Sequence, residues 1–344
     1  MKILLTVDPE IPVPPKLYGG IERIVSGLAR AYTQSGHEVF LLANPESTEE
    51  NAKVIFGWRG LKSNRYTDIY TNTRQLYWVC NKIKPDIIHS FSRLLYLFPL
   101  FLRKKIPVLQ SYQREISKKT TGLAQTLAKE RLKFSACGAH MFQGFPNQKK
   151  WLAIHNFTDT DFFVPEPRAI KQFLFFLGRI EDIKGTYEAI QVALKTQTHL
   201  IIAGNIPDEQ KEYYETKVKP FLANPLIEYV GMLNDHHKKH YLQAAKALLF
   251  PIKWSEPFGI VMAEAMACGT PVIAFNHGAV NEVIIDGVNG YKVDNLEQMV
   301  DAVLKIDDVD RNLVRLDAEA RFSLFVIAEK YLKVLTQMSE ANRC

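Results

Sequence analysis

The feature of this sequence that most constrains its fold is the alternation of short apolar runs with longer segments of helical periodicity. The run Lys2–Val7 is followed by a segment whose apolar residues recur at helical spacing from Ile21 to Tyr32, and then by the run Val39–Ala43. Such alternation is typical of βα units, in which the strands form a parallel sheet.

The alternation occurs in two series, separated by a proline-bearing stretch at 164–168. At roughly 150 residues per domain, 344 residues correspond to two domains. We predict an α/β protein with two Rossmann-like, doubly wound parallel-sheet domains, 1–160 and 161–321, and a terminal helix within 322–344. The other predicted strands are 85–89, 107–111, 173–178, 199–204, 227–231, 247–251 and 271–275.

Composition and cysteine content exclude several classes of protein. The chain is 47% hydrophobic and 23% charged, which is typical of a globular protein and not of a disordered one. The four cysteines, Cys80, Cys137, Cys268 and Cys344, form no CxxC pair, which argues against a disulfide framework or a zinc ribbon and favours the cytoplasm. The longest apolar run, 94–102, is far shorter than the roughly 20 residues that span a bilayer.

The net charge of +6 is unevenly distributed. Residues 101–150 contain eleven basic residues against Glu115 and Glu130, so the rest of the chain is net acidic. A basic segment of this kind favours an anionic partner, such as a phosphorylated acceptor, a membrane surface or nucleic acid. A solvated face without a partner is equally compatible with it. The segment lacks the interleaved aromatics of nucleic-acid binding, so we expect no nucleic-acid partner.

Two glycine-bearing loops follow predicted strands. Gly19 and Gly20 precede the first helix, where glycine lets a phosphate approach the free backbone N–H groups; taken alone, they are better explained by a tight turn without a ligand. Arg179 and Lys184 lie in the loop after the strand 173–178, at the sheet edge where α/β proteins bind ligands. Both cations can reach one diphosphate, although a pair of solvated surface cations is the alternative.

The third candidate is the segment 256–271. Pro257 is predicted to occupy the first helical turn, and Gly269 and Pro271 to end the helix. Glu256 then lies at the mouth of the helix, and Glu264 lies two turns further along among apolar residues. Two carboxylates so spaced can bind hydroxyls at the two ends of an elongated ligand, the alternative being a cap and a buried ion pair.

Histidines supply two weaker candidates. His89 ends a predicted buried strand, where it can act in catalysis or serve as a structural hydrogen-bonding group. His236 and His240 are four residues apart and can hold zinc on one helical face, but Asn234 and Asp235 indicate a solvated helix start. We therefore expect no metal site.

These motifs together resemble those of the family 4 glycosyltransferases of the GT-B type. The resemblance extends from residue 1 to about 335 and is most specific over 256–271 and 278–290. Shorter matching segments are 18–25, 154–161 and 178–185. The resemblance implies two Rossmann-like domains facing a central cleft, a nucleotide-sugar donor, and transfer of the sugar with retention of configuration. It also implies that the last helix crosses back onto the N-terminal domain.

The resemblance also implies roles for individual residues. Arg179 and Lys184 resemble the pair that neutralises the donor's diphosphate, so no divalent metal or other cofactor is expected. Glu264 resembles the carboxylate that holds the ribose, and Glu256 the one that faces the donor sugar. The remaining implied donor-site residues are the amides of Phe258, Gly259 and Ile260, the base-contacting Val230 and Met232, and the phosphate-approaching Gly19 and Gly20.

One departure affects the acceptor side. Many family members have His-x-His after the fourth strand, whereas this chain has His89-Ser-Phe91, and a later family histidine is replaced by the run 111–113. We expect a metal-independent, retaining hexosyltransferase that uses a nucleoside-diphosphate sugar, with UDP favoured. Its acceptor is expected to be an anionic or membrane-associated glycan or lipid, reached by peripheral membrane contact through 101–150. A sugar-nucleotide epimerase and a catalytically degenerate nucleotide-sugar binder are the alternatives.

Overall fold

The computed structural model describes residues 1–15, 19–169 and 172–342, so Tyr18 of the first glycine motif and Cys344 lie outside the described residues. The chain divides into two units. Unit 1 comprises Met1–Asn156 together with the chain from Leu324 onward, and unit 2 comprises Phe157–Ser323.

Both unit boundaries differ from the predicted ones by a few residues. The predicted boundaries fall after 160 and after 321, whereas unit 2 extends from Phe157 to Ser323. The Thr158 N–H donates to the Phe322 carbonyl at 2.9 Å, and Thr158 forms a parallel bridge with Ser323. The chain passes from one unit to the other near Thr158 and near Ser323, and these contacts place both segments in unit 2.

The described strands have the following bounds: β1 (Lys2–Thr6), β2 (Glu38–Ala43), β3 (Val54–Gly57), β4 (Ile87–Ser90), β5 (Val108–Tyr112), β6 (Leu132–Ala136), β7 (Trp151–Ala153), β8 (Phe173–Leu177), β9 (His199–Ala203), β10 (Ile227–Tyr229), β11 (Ala245–Phe250), β12 (Val272–Phe275) and β13 (Gly290–Val293). Each predicted strand is present, with bounds that differ by one to three residues. The sequence did not predict β3, β6, β7 or β13, which are short or carry polar residues.

The described helices are α1 (Gly20–Gln34), α2 (Tyr66–Ile83), α3 (Phe98–Arg103), α4 (Lys118–Ala128), α5 (Thr186–Thr196), α6 (Lys211–Tyr213), α7 (Asp235–Ala244), α8 (Ile260–Ala267), α9 (Val280–Val283), α10 (Leu296–Leu304), α11 (Arg311–Phe322) and α12 (Leu324–Ala341). None of these described helices is long and apolar enough to cross a membrane.

Unit 1 is built on a parallel sheet with the strand order β3-β2-β1-β4-β5-β6-β7. The order reverses direction between β1 and β4, which pair in register from Ile3 with Ile87 to Thr6 with Ser90. The residues of β4 are buried throughout, because helices cover both faces of the sheet. Loops that follow β1 and β4 therefore lie at a topological switch point, the place where open α/β sheets bind ligands.

Unit 2 is built on a second parallel sheet, with the order β10-β9-β8-β11-β12-β13. Here the order reverses between β8 and β11, which are neighbours in the sheet. The loops after these two strands carry Arg179 and Lys184 on one side and Glu256 on the other. The topology thus brings two motifs that are distant in sequence to one edge of one sheet.

The final helix belongs to unit 1 by its contacts. α12 packs against α1 and β4, and its Tyr331 ring lies 4.7 Å from the ring of His89, centroid to centroid. The helix begins at Leu324 and not at Phe322, because Phe322 ends α11 and packs in unit 2 against Phe258.

Candidate active site

The loop after β8 is shaped by glycine. Gly185 has a left-handed backbone (φ 76°), and a Cβ at this position would lie 2.0 Å from the carbonyl oxygen of Pro251. Only glycine fits this close approach, which brings the loop after β8 against the end of β11. The loop then turns directly into α5, whose first residue is Thr186.

Each of the two predicted diphosphate cations is held by a carboxylate. Arg179 Nη2 lies 2.8 Å from Glu181 Oε1, and the Glu181 side chain is buried. Lys184 Nζ lies 2.6 Å from Glu256 Oε2, and both of these side chains are largely buried. The structure therefore brings Lys184 and Glu256 together, across 72 positions of sequence.

Trp254 completes the environment of this ion pair. Its indole Nε1 donates to Glu256 Oε2 at 2.9 Å, and Lys184 Nζ lies 5.1 Å from the centre of the indole ring. Glu256 Oε2 thus accepts from two donors, and Lys184 makes a cation–π contact in addition to the ion pair. Trp254 was not predicted from the sequence, since a tryptophan two residues before the motif gives no signal by itself.

The predicted start of the helix in 256–271 is wrong. α8 begins at Ile260 and not at Pro257, and its N-cap is Gly259 in the left-handed conformation (φ 74°). Phe258 is fully buried against Phe322, so this turn is anchored in the core. The segment from Glu256 to Gly259 is therefore non-helical, and the uniform helical spacing of the two glutamates does not hold. The first N–H groups of α8 begin beside Gly259, where a helix N-terminus favours negative charge.

Glu264 lies within α8 and is bound by a lysine from the neighbouring helix. Lys238 Nζ donates to Glu264 Oε1 at 2.6 Å and lies 3.0 Å from Asp235 Oδ1. Burial lowers the pKa of Lys238, but the Glu264 and Asp235 carboxylates raise it by more, so the pKa lies above its ordinary value. Lys238 also lies over the Phe163 ring at 4.9 Å. This cation was missed at the sequence level because its partner is on another helix.

The loops after β9 and β10 lie close to the loop after β8. A Cβ on Gly204 would lie 1.7 Å from the Gly178 carbonyl oxygen, and the Gly204 N–H donates to the Gly231 carbonyl at 2.9 Å. Val230 donates its N–H to Ile202, while the Met232 side chain is 74% exposed. An apolar side chain so exposed at this edge is available to cover a flat ligand group.

The histidine pair His236 and His240 lies on α7, which has a capped N-terminus. Asn234 caps α7 by accepting from the His237 N–H at 2.9 Å, and the His236 ring packs edge-on against Phe162. Among the described residues there is no group of three or more His, Cys, Asp or Glu side chains placed to hold a metal ion. The Asn234 cap agrees with the interpretation of this segment as a capped helix start.

Gly19 and Gly20 lie in unit 1, directly before and at the start of α1. Gly19 has φ 157°, and a Cβ there would lie 2.6 Å from the Cβ of Pro15 and 2.9 Å from a carboxylate oxygen of Glu22. Close packing against Pro15 and Glu22 therefore explains why residue 19 is a glycine. The turn places the backbone of Gly19 beside the first amides of α1.

His89 lies in the interior of unit 1. Its side chain has no exposed surface, its Nδ1 is 3.0 Å from the Tyr32 hydroxyl, and its Nε2 is 2.8 Å from Ser111 Oγ. Burial lowers the pKa of His89 to about 3. Both ring nitrogens are engaged with protein groups. This favours the interpretation of His89 as a structural hydrogen-bonding group over a direct catalytic role.

Phe91 and Tyr331 pack on the His89 ring at 4.6 and 4.7 Å between ring centres. Phe91, which stands where the resemblance places a second histidine, is thus part of an apolar cluster of aromatic side chains around His89. Ser111 on β5 lies in the run where the resemblance places a later histidine.

Comparisons with known proteins agree with this architecture. A family model described as "Glycosyl transferases group 1" matches residues 157–321, and a model described as "Glycosyltransferase Family 4" matches residues 18–141. A glycogen synthase from Mycobacterium tuberculosis is 23% identical over 330 residues, covering 80% of this chain and 79% of the relative.

Solved structures share the fold over nearly the whole chain. A glycosyltransferase from Rickettsia africae superposes with a TM-score of 0.81 at 18% identity, covering 98% of both chains. The Anabaena protein Alr3699/HepE, in complex with UDP, superposes with a TM-score of 0.79 at 16% identity, covering 98% of this chain and all of that one.

Two parallel-sheet Rossmann-like units, each with candidate ligand loops at its switch point, form the GT-B fold, which this chain shares with solved glycosyltransferases. With both halves matched by the corresponding family models, this chain belongs to the GT-B glycosyltransferases of the family 4 type.

Proposed function

We propose that the protein is a retaining hexosyltransferase that moves a sugar from UDP-sugar to a hydroxyl group of an acceptor without a divalent metal. The observation that carries the proposal is the arrangement at the switch point of unit 2. There Lys184 is paired with Glu256 at 2.6 Å, with Arg179 in the same loop. Glu264, on the same segment as Glu256, is paired with Lys238 at 2.6 Å.

The cations serve the leaving group. When the bond between the anomeric carbon and the diphosphate breaks, the electron pair leaves with the diphosphate, and charge builds up on its oxygens. Arg179 and Lys184 offset this charge electrostatically, which is often the largest contribution that an enzyme makes to rate. Because two fixed cations can supply this neutralisation, the proposed reaction requires no Mg²⁺.

The carboxylates serve the two ends of the donor. Glu264 accepts hydrogen bonds from the ribose hydroxyls, and Lys238 holds the carboxylate in place. Glu256 accepts from hydroxyls of the transferred sugar, near the amides of Phe258, Gly259 and Ile260. In the absence of donor, both carboxylates are satisfied by lysine, which avoids an unpaired buried charge.

The rest of the donor is assigned to the neighbouring loops. Val230 contacts the base through its backbone and Met232 covers it, while Gly19 and Gly20 let the first helix of unit 1 approach the phosphates. UDP is favoured as the nucleotide because it is the commonest donor nucleotide of the family. The Anabaena protein with a TM-score of 0.79 was solved with UDP.

The overall reaction balances without a redox partner. The acceptor oxygen forms the new bond to the anomeric carbon on the face from which the nucleotide departs, so configuration is retained. The acceptor's hydroxyl proton passes to a departing diphosphate oxygen, which is the nearest base created by the reaction. The products are the glycosylated acceptor and the nucleoside diphosphate, which carries this proton until it is released to solvent.

The experiment that tests the proposal is calorimetric titration with UDP, GDP, ADP and dTDP in EDTA. Wild type is compared with Glu264→Ala, and Glu297→Ala is a matched control because Glu297 is an exposed carboxylate of the same unit. We expect micromolar binding of UDP that is lost in Glu264→Ala and kept in Glu297→Ala. Absence of binding by all four nucleotides, in EDTA and again in Mg²⁺, would contradict the proposed donor site. Binding that appears only in Mg²⁺ would contradict metal independence.

A product assay separates the enzymatic alternatives. Incubation with UDP-glucose, UDP-galactose and UDP-N-acetylglucosamine is followed by analysis of free sugar, of UDP and of the remaining donor. Transfer or slow hydrolysis releases UDP, whereas an epimerase converts one donor into another. Tight nucleotide binding with neither outcome would identify a degenerate binder.

We also propose that the basic segment 101–150 contacts an anionic surface at the cytoplasmic face of a membrane. Part of its charge is engaged locally, since Lys104 donates to Asn81, and Lys150 is paired with Glu130. Lys118, Lys119 and Lys133 are the residues to reverse. Sedimentation with vesicles containing anionic lipid is expected to fall in the triple Lys→Glu variant, and unchanged sedimentation would contradict the idea.

A further inference from the structure

A cavity of about 330 Å³ lies in unit 1, at the carboxyl ends of β4 and β5. It is lined by residues 91–95 after β4, by residues 110–115 of β5 and its following loop, by Ile21 of α1, and by Ser117 and Thr120 at the start of α4. Its volume is at the low end of the range of small-ligand sites, so it suits one ring with its substituents. The position next to the β1–β4 switch point is where ligands of α/β sheets bind.

Gln110 places an unused hydrogen-bond acceptor in the lining of this cavity. Its side chain is 1% exposed, and its Nε2 donates to the Ser92 carbonyl at 2.9 Å. That bond fixes the orientation of the amide, because a carbonyl can only accept. The other amide atom, Oε1, is buried and has no hydrogen-bond partner. Buried polar atoms are almost always paired, so this oxygen indicates a missing donor such as a hydroxyl.

Gln113 adds a second, complete amide. Both its Nε2 and its Oε1 are buried without a hydrogen-bond partner, and the residue lines the same cavity. One donor and one acceptor on a planar amide match two neighbouring hydroxyls, one of which accepts while the other donates. Phe91 and Tyr112 supply aromatic surface to the lining. A sugar ring presents both polar and apolar groups, and amides beside aromatic rings provide matching contacts for both.

The charges near the cavity cancel. Arg93 and Arg114 line it together with Glu115, and Asp8 pairs with the Arg114 guanidinium and accepts from the Arg93 N–H at 2.9 Å. Two guanidinium groups thus lie near two carboxylates. The Arg114 guanidinium is paired with Asp8, and the Arg93 Nε is a further buried donor without a hydrogen-bond partner. The nearby N-terminus of α4 is capped by its own Ser117, which accepts from the Thr120 N–H. The formal charges beside the cavity therefore sum to zero, and they give a phosphate or carboxylate no advantage over an uncharged ligand.

We infer that this cavity binds an uncharged sugar ring of the acceptor, whose adjacent hydroxyls are recognised by the amides of Gln110 and Gln113. The inference rests on the proposed function in one respect, namely that the bound sugar is the acceptor. The inference narrows the predicted chemistry of the acceptor to a molecule with an uncharged sugar ring. Any anionic group of the acceptor then lies outside the cavity and contacts the basic segment 101–150.

The experiment is saturation-transfer NMR on the full chain, with titration to obtain affinities. The neutral probes are the methyl glycosides of glucose, galactose, mannose, xylose, rhamnose and N-acetylglucosamine, and the anionic probes are glucose 6-phosphate and galacturonate. We expect a neutral glycoside to bind, and its affinity to fall at least about fivefold in Gln110→Leu and in Gln113→Leu. Gln143→Leu, an exposed glutamine of the same unit, is expected to leave the affinity unchanged.

Three outcomes overturn the inference: no neutral glycoside binds, both leucine variants bind as wild type does, or only the anionic probes bind and Arg114→Gln abolishes this. If Gln110→Leu fails to fold by circular dichroism, the less buried Gln113→Leu carries the test. UDP titration of the same samples keeps the two proposals separate. UDP binding without glycoside binding contradicts the cavity assignment alone, and glycoside binding without UDP binding contradicts the donor site alone.

Discussion

Lys238 on α7 and Glu264 on α8 form a salt bridge of 2.6 Å in which both side chains are largely buried. Asp235, one turn before Lys238, adds a second carboxylate at 3.0 Å. The lysine therefore remains charged and fixes one oxygen of the carboxylate that the proposed mechanism assigns to the ribose. Its role is positioning, since it acts on the ligand through Glu264.

The first prediction concerns this pair. Lys238→Met removes the donor that orients Glu264, and we expect about 10-fold weaker UDP binding, because a hydrogen bond to a charged group contributes about 1.5–3 kcal/mol. In a double-mutant cycle with Glu264→Gln the two losses should not add, since both remove one interaction. Additive losses measured by calorimetry would show that Lys238 acts independently of Glu264.

The second prediction separates phosphate contacts from the remainder of the donor site. Arg179→Ala and Lys184→Ala are each expected to weaken UDP binding about 10-fold or more, and UMP binding much less, because the second phosphate depends on these cations. Lys195→Ala is the matched control, since Lys195 is half-exposed and lies 3.7 Å from Glu297. Equal losses for UDP and UMP would place the two cations elsewhere on the nucleotide.

The third prediction concerns the glycine that seats the loop after β8. Gly185→Ala combines a left-handed backbone with a contact of 2.0 Å to the Pro251 carbonyl oxygen, so we expect a loss of about 2 kcal/mol or more in stability. In Gly122→Ala, within α4, the added Cβ meets nothing within 4 Å, and we expect stability to stay the same or to rise by up to about 1 kcal/mol. Denaturant unfolding measures the free energy of unfolding of both variants. Equal changes in the two variants would contradict the explanation by close packing at Gly185.

The fourth prediction uses the buried histidine. Because the pKa of His89 is lowered to about 3 in the folded chain, the unfolded chain binds a proton below about pH 6.5 that the folded chain does not. This contribution to stability is present above pH 6.5 and is lost as the pH falls towards 3. From pH 7.5 to 5 the loss is about 2 kcal/mol, and it should be absent in His89→Gln.

Denaturant unfolding of both proteins at the two pH values measures this difference, and a constant gap between them would contradict it. The same variant also tests the role of His89. Nucleotide binding that is unchanged together with a loss of activity of about 1,000-fold would restore His89 as a catalytic candidate.

The sequence predicted the fold well because its strongest signals are local. Apolar runs such as Lys2–Val7 must be buried on both faces, and helical periodicity between them favours parallel sheets. The strands that were not predicted show the limit of local patterns. β7 has only three residues, and it is identified as a strand by its pairing with β6 and not by its own pattern. Likewise the start of α8 shifted to Ile260, because the burial of Phe258 overrides the preference of Pro257 for a first helical turn.

The sequence by itself determined the alternation of strands and helices in two series, because these patterns are properties of neighbouring residues. It also named the candidate donor residues, through the resemblance of the segment 256–271 to a family motif. Only the tertiary structure decided which groups meet. Lys184 and Glu256 are brought together by the adjacency of β8 and β11, Lys238 reaches Glu264 from another helix, and His89 is enclosed by Tyr32, Ser111 and Tyr331. Such contacts join residues far apart in the chain, and their formation depends on the packing of the whole unit.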